Sequence, residues 1–256
     1  MKVVLIGAGN VATHLATELY QKSFDIIQVY SRTIKSASAL AKAVHAVPVT
    51  EISAIINDAD LYIFSVKDSV LEELISQVPE NKGLWLHTAG SMPIDIFSKY
   101  TSHYGVIYPF QTFSKNRDVN WSDIPLFIEA SEHNTLIQLE GIAKQLSSKV
   151  LELSTDKRKY LHLTGVFACN FTNHMYALAE QILKKIDLPF EVALPLIDET
   201  AAKVHSLSPK VAQTGPAVRY DENVINKHLS LIDSKQVKEI YKLISDDIHR
   251  ISDDEI

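Results

Sequence analysis

A strand-like run, Val3–Ile6, enters the turn Gly7-Ala8-Gly9-Asn10-Val11-Ala12 and leaves it in a helix-like run, Val11–Gln21. This G-x-G-x-x-A pattern constrains the fold more than any other feature of the chain. The first glycine permits a tight turn, the second lets the backbone approach a pyrophosphate, and the small third residue lets helix and strand pack closely. Amides at the start of the helix, aided by its dipole, then face a phosphate. Glycines that simply turn a strand into a helix are the alternative. The position at the head of a βαβ unit favours dinucleotide binding, through Gly7, Gly9, Asn10, Val11 and Ala12.

The rest of the first half continues the alternation. Apolar strand-like runs recur at Ile26–Tyr30, Leu61–Val66, Leu84–His87 and Val106–Tyr108, with helix-like segments at Ser36–Val44 and Leu71–Val78. Leu126–Glu129 and Val150–Leu153 read as later strands, separated by a helix over Thr135–Leu146. Alternating strand and helix predicts an α/β class, a doubly wound parallel sheet buried on both faces. After Thr155 strand signals stop. Asp156–Lys185 reads as one long helix closed by Pro189, and further helices are expected over Glu191–Ser206, Val224–Leu231 and Lys235–Ile251. The boundary is therefore placed near residue 155: a nucleotide-binding domain over 1–155 and an all-helical C-terminal domain over 156–256, for substrate and dimerisation.

The second strand bears on cofactor choice. An NAD site uses an acid at its end to hold the ribose 2′-hydroxyl. Here the strand ends in Ser31 and Arg32, and Asp25 precedes it. A hydroxyl and a guanidinium suit a 2′-phosphate, with Thr33 and Lys35 as further donors, so the cofactor expected is NADP(H). A solvated surface arginine is the plain alternative.

Composition narrows the class. With 256 residues, 46% of them hydrophobic, the chain can bury a sizeable core. A net charge of −6 argues against a nucleic-acid footprint. The single Cys169 fits a reducing compartment, and no apolar run approaches the roughly 20 residues of a membrane span, so a cytoplasmic location is expected with no membrane partner.

IGAGNVATHLA, VYSRT, IFSVKD, HTAGS, YPFQTF, FACNFTNHMYALAEQIL and QTGPAVRYD occur in this order. Together, over nearly the whole chain, they resemble the Rossmann-like proteins with a DUF2520 C-terminal domain. That group is similar to pyrroline-5-carboxylate reductases and to the 6-phosphogluconate-dehydrogenase-like superfamily. The resemblance implies an NADP oxidoreductase, often a homodimer through the helical domain, acting on a small-molecule substrate. Family members carry a histidine before the proline of the sixth strand, where this chain has Tyr108.

Ligands of doubly wound sheets sit beyond the carboxyl ends of the strands. In similar reductases the turn Ser65, Val66, Lys67 passes beside the ribose and nicotinamide. Thr88 and Ala89 are expected on the cofactor, Gly90 and Ser91 on the substrate. His87 titrates near neutrality and is a candidate proton donor, with an internally satisfied histidine as the alternative. The lysine–asparagine pair that faces the nicotinamide in β-hydroxyacid dehydrogenases of this superfamily is absent: four residues beyond Lys159 is Leu163, and beyond Lys157, Leu161. The long helix offers His162, Asn170 and Asn173 instead. On a uniform helix His162 and Asn173 lie within roughly 20° of each other and Asn170 roughly 80° away. Asn170, in the apolar run VFACNF, should need a partner. Either a backbone carbonyl or a substrate would serve. His162 and Asn170 are candidate catalytic groups, and Asn173 a substrate contact. The loop QTGPAVRYD adds Thr214, Gly215 and Arg219, the arginine for a substrate carboxylate or for pairing with Asp221 or Glu222. No residue set suggests a metal. The expected activity is hydride transfer between NADP(H) and a small imine or carbonyl compound. The rivals are an NADP(H) sensor without turnover and a deazaflavin-dependent NADP reductase.

Overall fold

The computed structural model describes residues 1–253. Its contacts divide the chain into two compact units, Met1–His174 and Met175–Ile256.

The first unit is built on an eight-stranded sheet of order β3-β2-β1-β4-β5-β6-β7-β8. The strands are β1 (Lys2–Ile6), β2 (Asp25–Tyr30), β3 (Val47–Val49), β4 (Leu61–Phe64), β5 (Leu84–His87), β6 (Tyr104–Pro109), β7 (Leu126–Ala130) and β8 (Val150–Glu152). Strands β1 to β6 are parallel in the order 3-2-1-4-5-6, the Rossmann arrangement expected for the first half. Alternate residues of each strand enter opposite cores. Val3, Leu5, Leu61 and Ile63 face one side with α1 (Asn10–Gln21), α2 (Ile34–Ala43) and α4 (His133–Leu146). Val4, Ile6, Tyr62 and Phe64 face the other, with α3 (Asp68–Ile75) and Phe97. Period-2 alternation with both faces covered is why the strands read as continuous apolar runs.

Two departures have local causes. Strand β3, Val-Pro-Val, escapes the sequence reading because Pro48 reads as a breaker. It pairs with β2 alone, at the sheet edge, where a missing N–H costs no ladder bond. Strand β7 runs antiparallel to β6. No α-helix separates them, and a return without a crossover helix favours the antiparallel pairing.

After β8 the chain is helical. The expected single long helix consists of α5 (Thr155–Gly165), one π-helical stretch (Val166–Phe171) and α6 (Thr172–Lys184). Thus α5 and the π stretch belong to the compact unit of the sheet. The second unit contains α7 (Leu194–Lys203), the short α8 (Pro209–Ala212), α9 (Glu222–Leu231) and α10 (Lys235–Asp253). Within it Lys185 pairs with Asp233, His228 Nδ1 bonds Tyr241 Oη at 2.8 Å, and Tyr220 stacks on His249. From Met175 to Asp253 the buried residues are Ala217 and Ser245. No helix among the described residues is long and apolar enough to cross a membrane.

Candidate functional site

A cleft of about 520 Å³ opens at the carboxyl ends of β1, β2, β4 and β5, where the strand order reverses. Gly7 turns the chain there at φ +123°, and a side chain would strike the carbonyl of Ser65. Gly9 is the N-cap of α1 and makes no side-chain cap. A Cβ on it would meet nothing within 4 Å. The amide donors of a twelve-residue helix therefore face open space beside Gly7, Gly9, Asn10 and Val11. Ala12 is fully buried and serves the close packing of helix on strand.

At the end of β2 the cleft is lined by Ser31, Arg32 and Ser36. Thr33, expected as a further donor, is occupied as the N-cap of α2: its hydroxyl accepts from the Ser36 amide. Lys35 is exposed and does not line the cleft; Ser36 does. The sequence reading missed Ser36, which follows from the capping turn that brings it back toward Arg32. One guanidinium and two hydroxyls, with no carboxylate lining this end of the cleft, suit a phosphate dianion.

From β4 and β5 come Ser65, Val66, Lys67, Thr88, Ala89 and Gly90. Thr88 Oγ1 donates to Ser65 Oγ at 3.1 Å and joins the two strand ends. Ser91 turns away to Asp68, on which its hydroxyl forms a short hydrogen bond. His87 is corrected by the structure. It is fully buried, its ring lies 5.6 Å from that of Phe97, and it does not line the cleft. Burial, with help from the Arg158 guanidinium and against a weaker pull from the Pro93 backbone, pushes its pKa down to about 3. Its Nδ1 accepts from the Ala89 amide at 3.1 Å, and Nε2 has no hydrogen-bond partner. Such a group is neutral at pH 7 and has no path to a ligand.

The titratable side chains that line the cleft, besides Tyr30 and Arg32, are Lys67 and Asp68 after β4, Tyr108 at the end of β6, and His162 on α5. Tyr108 Oη lies 3.0 Å from His162 Nδ1. Burial raises the Tyr108 pKa, Arg158 opposes the rise and Asp68 adds to it. Tyr108 and His162 line the cleft and also a second chamber of about 370 Å³, whose other lining includes Phe110, Val166, Ala168 and Asn170. The pair stands where the two meet. Tyr108 was noted in the sequence as a departure from the family pattern, without a role.

The π stretch decides which helix residues join them. A turn closed by i→i+5 bonds uses about one residue more than an α-turn, a lag of about 100°. Asn170 thereby swings toward the face of His162, and Asn173 swings off it. Accordingly His162 and Asn170 share the second chamber, which Asn173 does not line; Asn173 lines a different, polar cavity with Arg117, Asp118 and Asp123, and Asn170 reaches that cavity as well. Asn170 is also exposed, so the expectation that burial forces a partner on its amide does not hold. Thr214, Gly215 and Arg219 lie in the other compact unit, between α8 and α9.

The loop after β6, whose start belongs to the YPFQTF motif, was given no role by the sequence. It folds onto the glycine turn: Lys115 Nζ donates to the Ala8 carbonyl at 2.7 Å and Asn10 Nδ2 to the Phe113 carbonyl at 2.9 Å. His14 Nε2 meets the Ser114 carbonyl at 2.9 Å. Each contact spans about a hundred residues of chain, a separation that local patterning does not carry.

Residues 124–248 match the family described as "Domain of unknown function (DUF2520)", and residues 1–82 match "Shikimate / quinate 5-dehydrogenase". Among curated proteins none matches in sequence. Of solved structures, the "putative NADP oxidoreductase BF3122" of Bacteroides fragilis is 52% identical, with a TM-score of 0.92 over 97% of this chain and 98% of that one. Protein TM1727 of Thermotoga maritima is 21% identical over 99% of each chain, with a TM-score of 0.72. A reductive aminase of Aspergillus terreus, in complex with NADPH and ethyl-5-oxohexanoate, is 17% identical over 97% of this chain and 93% of that one, with a TM-score of 0.75.

Proposed function

The chain belongs to the family of Rossmann-like NADP oxidoreductases that carry a DUF2520 domain, and from that premise we propose that it reduces a small C=N or C=O compound with NADPH. The observation that carries this reading is the join of two features in one cleft: an uncapped helix start at the glycine turn, and Arg32 with Ser31 and Ser36 at the end of β2. The first suits a pyrophosphate and the second a 2′-phosphate. When bound, NADPH supplies the hydride, and the protein supplies position and charge. Ser65, Val66, Lys67, Thr88 and Ala89 line the stretch between those phosphates and the Tyr108–His162 pair.

Tyr108 and His162 hold the proton that the reduced compound takes up. With its pKa raised, the phenol keeps its proton at neutral pH and gives it up as charge develops on the substrate. Asn170 offers an amide to orient the substrate in the second chamber. The absence of a lysine–asparagine pair one turn apart, and the likeness in fold to a reductive aminase, favour an imine over a 3-hydroxy acid.

A second copy of the chain completes the helical unit. Met175–Asp253 buries just Ala217 and Ser245, and leaves Ile182, Ile186, Leu196, Val211, Leu231 and Leu243 exposed. A helical segment with so little core is stabilised by burying its apolar residues against a partner, and a homodimer is the simplest one.

The reading is tested by fluorescence titration with NADPH and NADH. The expected result is NADPH binding at least about tenfold tighter than NADH, with the preference largely removed in Arg32→Ala. Equal affinities, or a ratio that Arg32→Ala leaves unchanged, overturn it.

A further inference from the structure

Below the loop that follows β5 lies a buried cation that hydride transfer does not itself require. Arg158, on α5, is 1% exposed. Its Nη1 reaches Glu129 Oε2 on β7 at 2.5 Å. Its Nη2 donates to the Met92 carbonyl at 2.7 Å and to Thr155 Oγ1 at 3.1 Å. Glu129 also accepts from the Thr155 amide and hydroxyl, both at 2.8 Å, and Thr155 Oγ1 accepts from the Ile94 amide at 3.2 Å. One guanidinium thus clamps three pieces of chain: β7, the start of α5, and the loop after β5.

The clamped pieces carry the proton-handling groups. His162 is one helical turn beyond Arg158 on α5. Gly90 is two residues before Met92, and a Cβ there would lie 2.5 Å from His162 Nδ1. His162 is therefore held between this loop and Tyr108. A buried ion pair gives little stability over a packed apolar pair. What a forked guanidinium gives is direction.

Resting on the reductase reading above, we propose that Arg158 is a positioning residue for proton delivery: it locks α5 to the loop Thr88–Met92 and so fixes His162 against Gly90 and Tyr108. Its charge also acts on the phenol. The charged and titratable groups that face Tyr108 are Asp68 at the start of α3, and Arg158 and His162 on α5. Arg158 draws the Tyr108 pKa down against burial and Asp68.

The test titrates Tyr108 by tyrosinate absorbance, taking the difference from Tyr108→Phe, in wild type, Arg158→Lys and Arg158→Gln, with NADPH affinity measured on each. The expected result is a Tyr108 midpoint raised by about one pH unit in Arg158→Gln and nearly restored in Arg158→Lys, with NADPH affinity within about twofold throughout. If Arg158→Gln does not fold, Arg158→Gln/Glu129→Gln, which keeps a neutral hydrogen-bonded pair, is read in the same way. A folded neutral variant with an unmoved midpoint overturns the proposal. So does a tenfold loss of NADPH binding alongside the shift, which means general collapse of the cleft. Failure of both neutral variants to fold leaves Arg158 a structural role alone and also overturns it. Wild type that fails to bind NADPH while Arg158 still sets the Tyr108 midpoint sinks the reductase reading instead.

Discussion

Gly90 and His162 fit each other without room for one carbon atom: a Cβ on Gly90 would come within 2.5 Å of His162 Nδ1 and 2.7 Å of Cγ. The glycine has ordinary backbone angles, so this contact, and not a turn, is what excludes a side chain. Gly90→Ala must push the imidazole away from Tyr108 or shift the loop. We expect turnover to fall at least about tenfold with NADPH affinity nearly unchanged, since a misplacement of an ångström costs on the order of 10²-fold. Steady-state kinetics beside a fluorescence titration read both. Unchanged turnover would remove His162 from proton delivery.

His87 makes the fold sensitive to acid. Its pKa is about 3 when folded and 6.5 in a free chain. Between those values the unfolded chain binds the proton and the native state does not, so stability rises with pH across the window. The native state is unaffected by this group above about pH 6.5 and loses up to about 1.4 kcal/mol per unit as pH falls toward 3. Urea unfolding at pH 7, 6 and 5 is expected to show a shallower loss in His87→Leu than in wild type. Parallel pH profiles would mean that folding does not lower the His87 pKa.

The mass in solution is expected to be twice the 28.6 kDa of one chain. Light scattering at micromolar concentration measures it. Charged substitution of Leu196 and Leu243, both 70% exposed or more, should shift the protein toward monomer and lower its melting temperature. A wild-type monomer would remove the second copy from the account.

Much of this was written in the sequence. The glycine turn, the Ser31–Arg32 strand end and the small residues Thr88–Gly90 sit at fixed offsets from apolar strands, so local pattern finds them and the sheet order brings them together. What pattern could not carry is sequence-distant or non-periodic. Lys115 reaches Ala8 across a fold, and Glu129 on β7 meets Arg158 on α5. The depth of His87 depends on Phe97 covering it. The π stretch breaks the 3.6-residue period on which the His162–Asn173 face was argued.

That stretch has a consequence for how such a chain can change. Side chains beyond Phe171 are phased by a turn one residue longer than its neighbours. Deleting a single residue between Val166 and Phe171 would let the helix close as a uniform α-helix: the residue lost and the lag of about 100° lost with it cancel, so the side chains after it would keep their facing. Only the residues of the stretch itself, among them Val166, Ala168 and Asn170 that line the chamber beside His162, would be dealt out anew, with the helix beyond undisturbed. Chain length, as well as residue identity, is a variable through which evolution can alter what this chamber accepts.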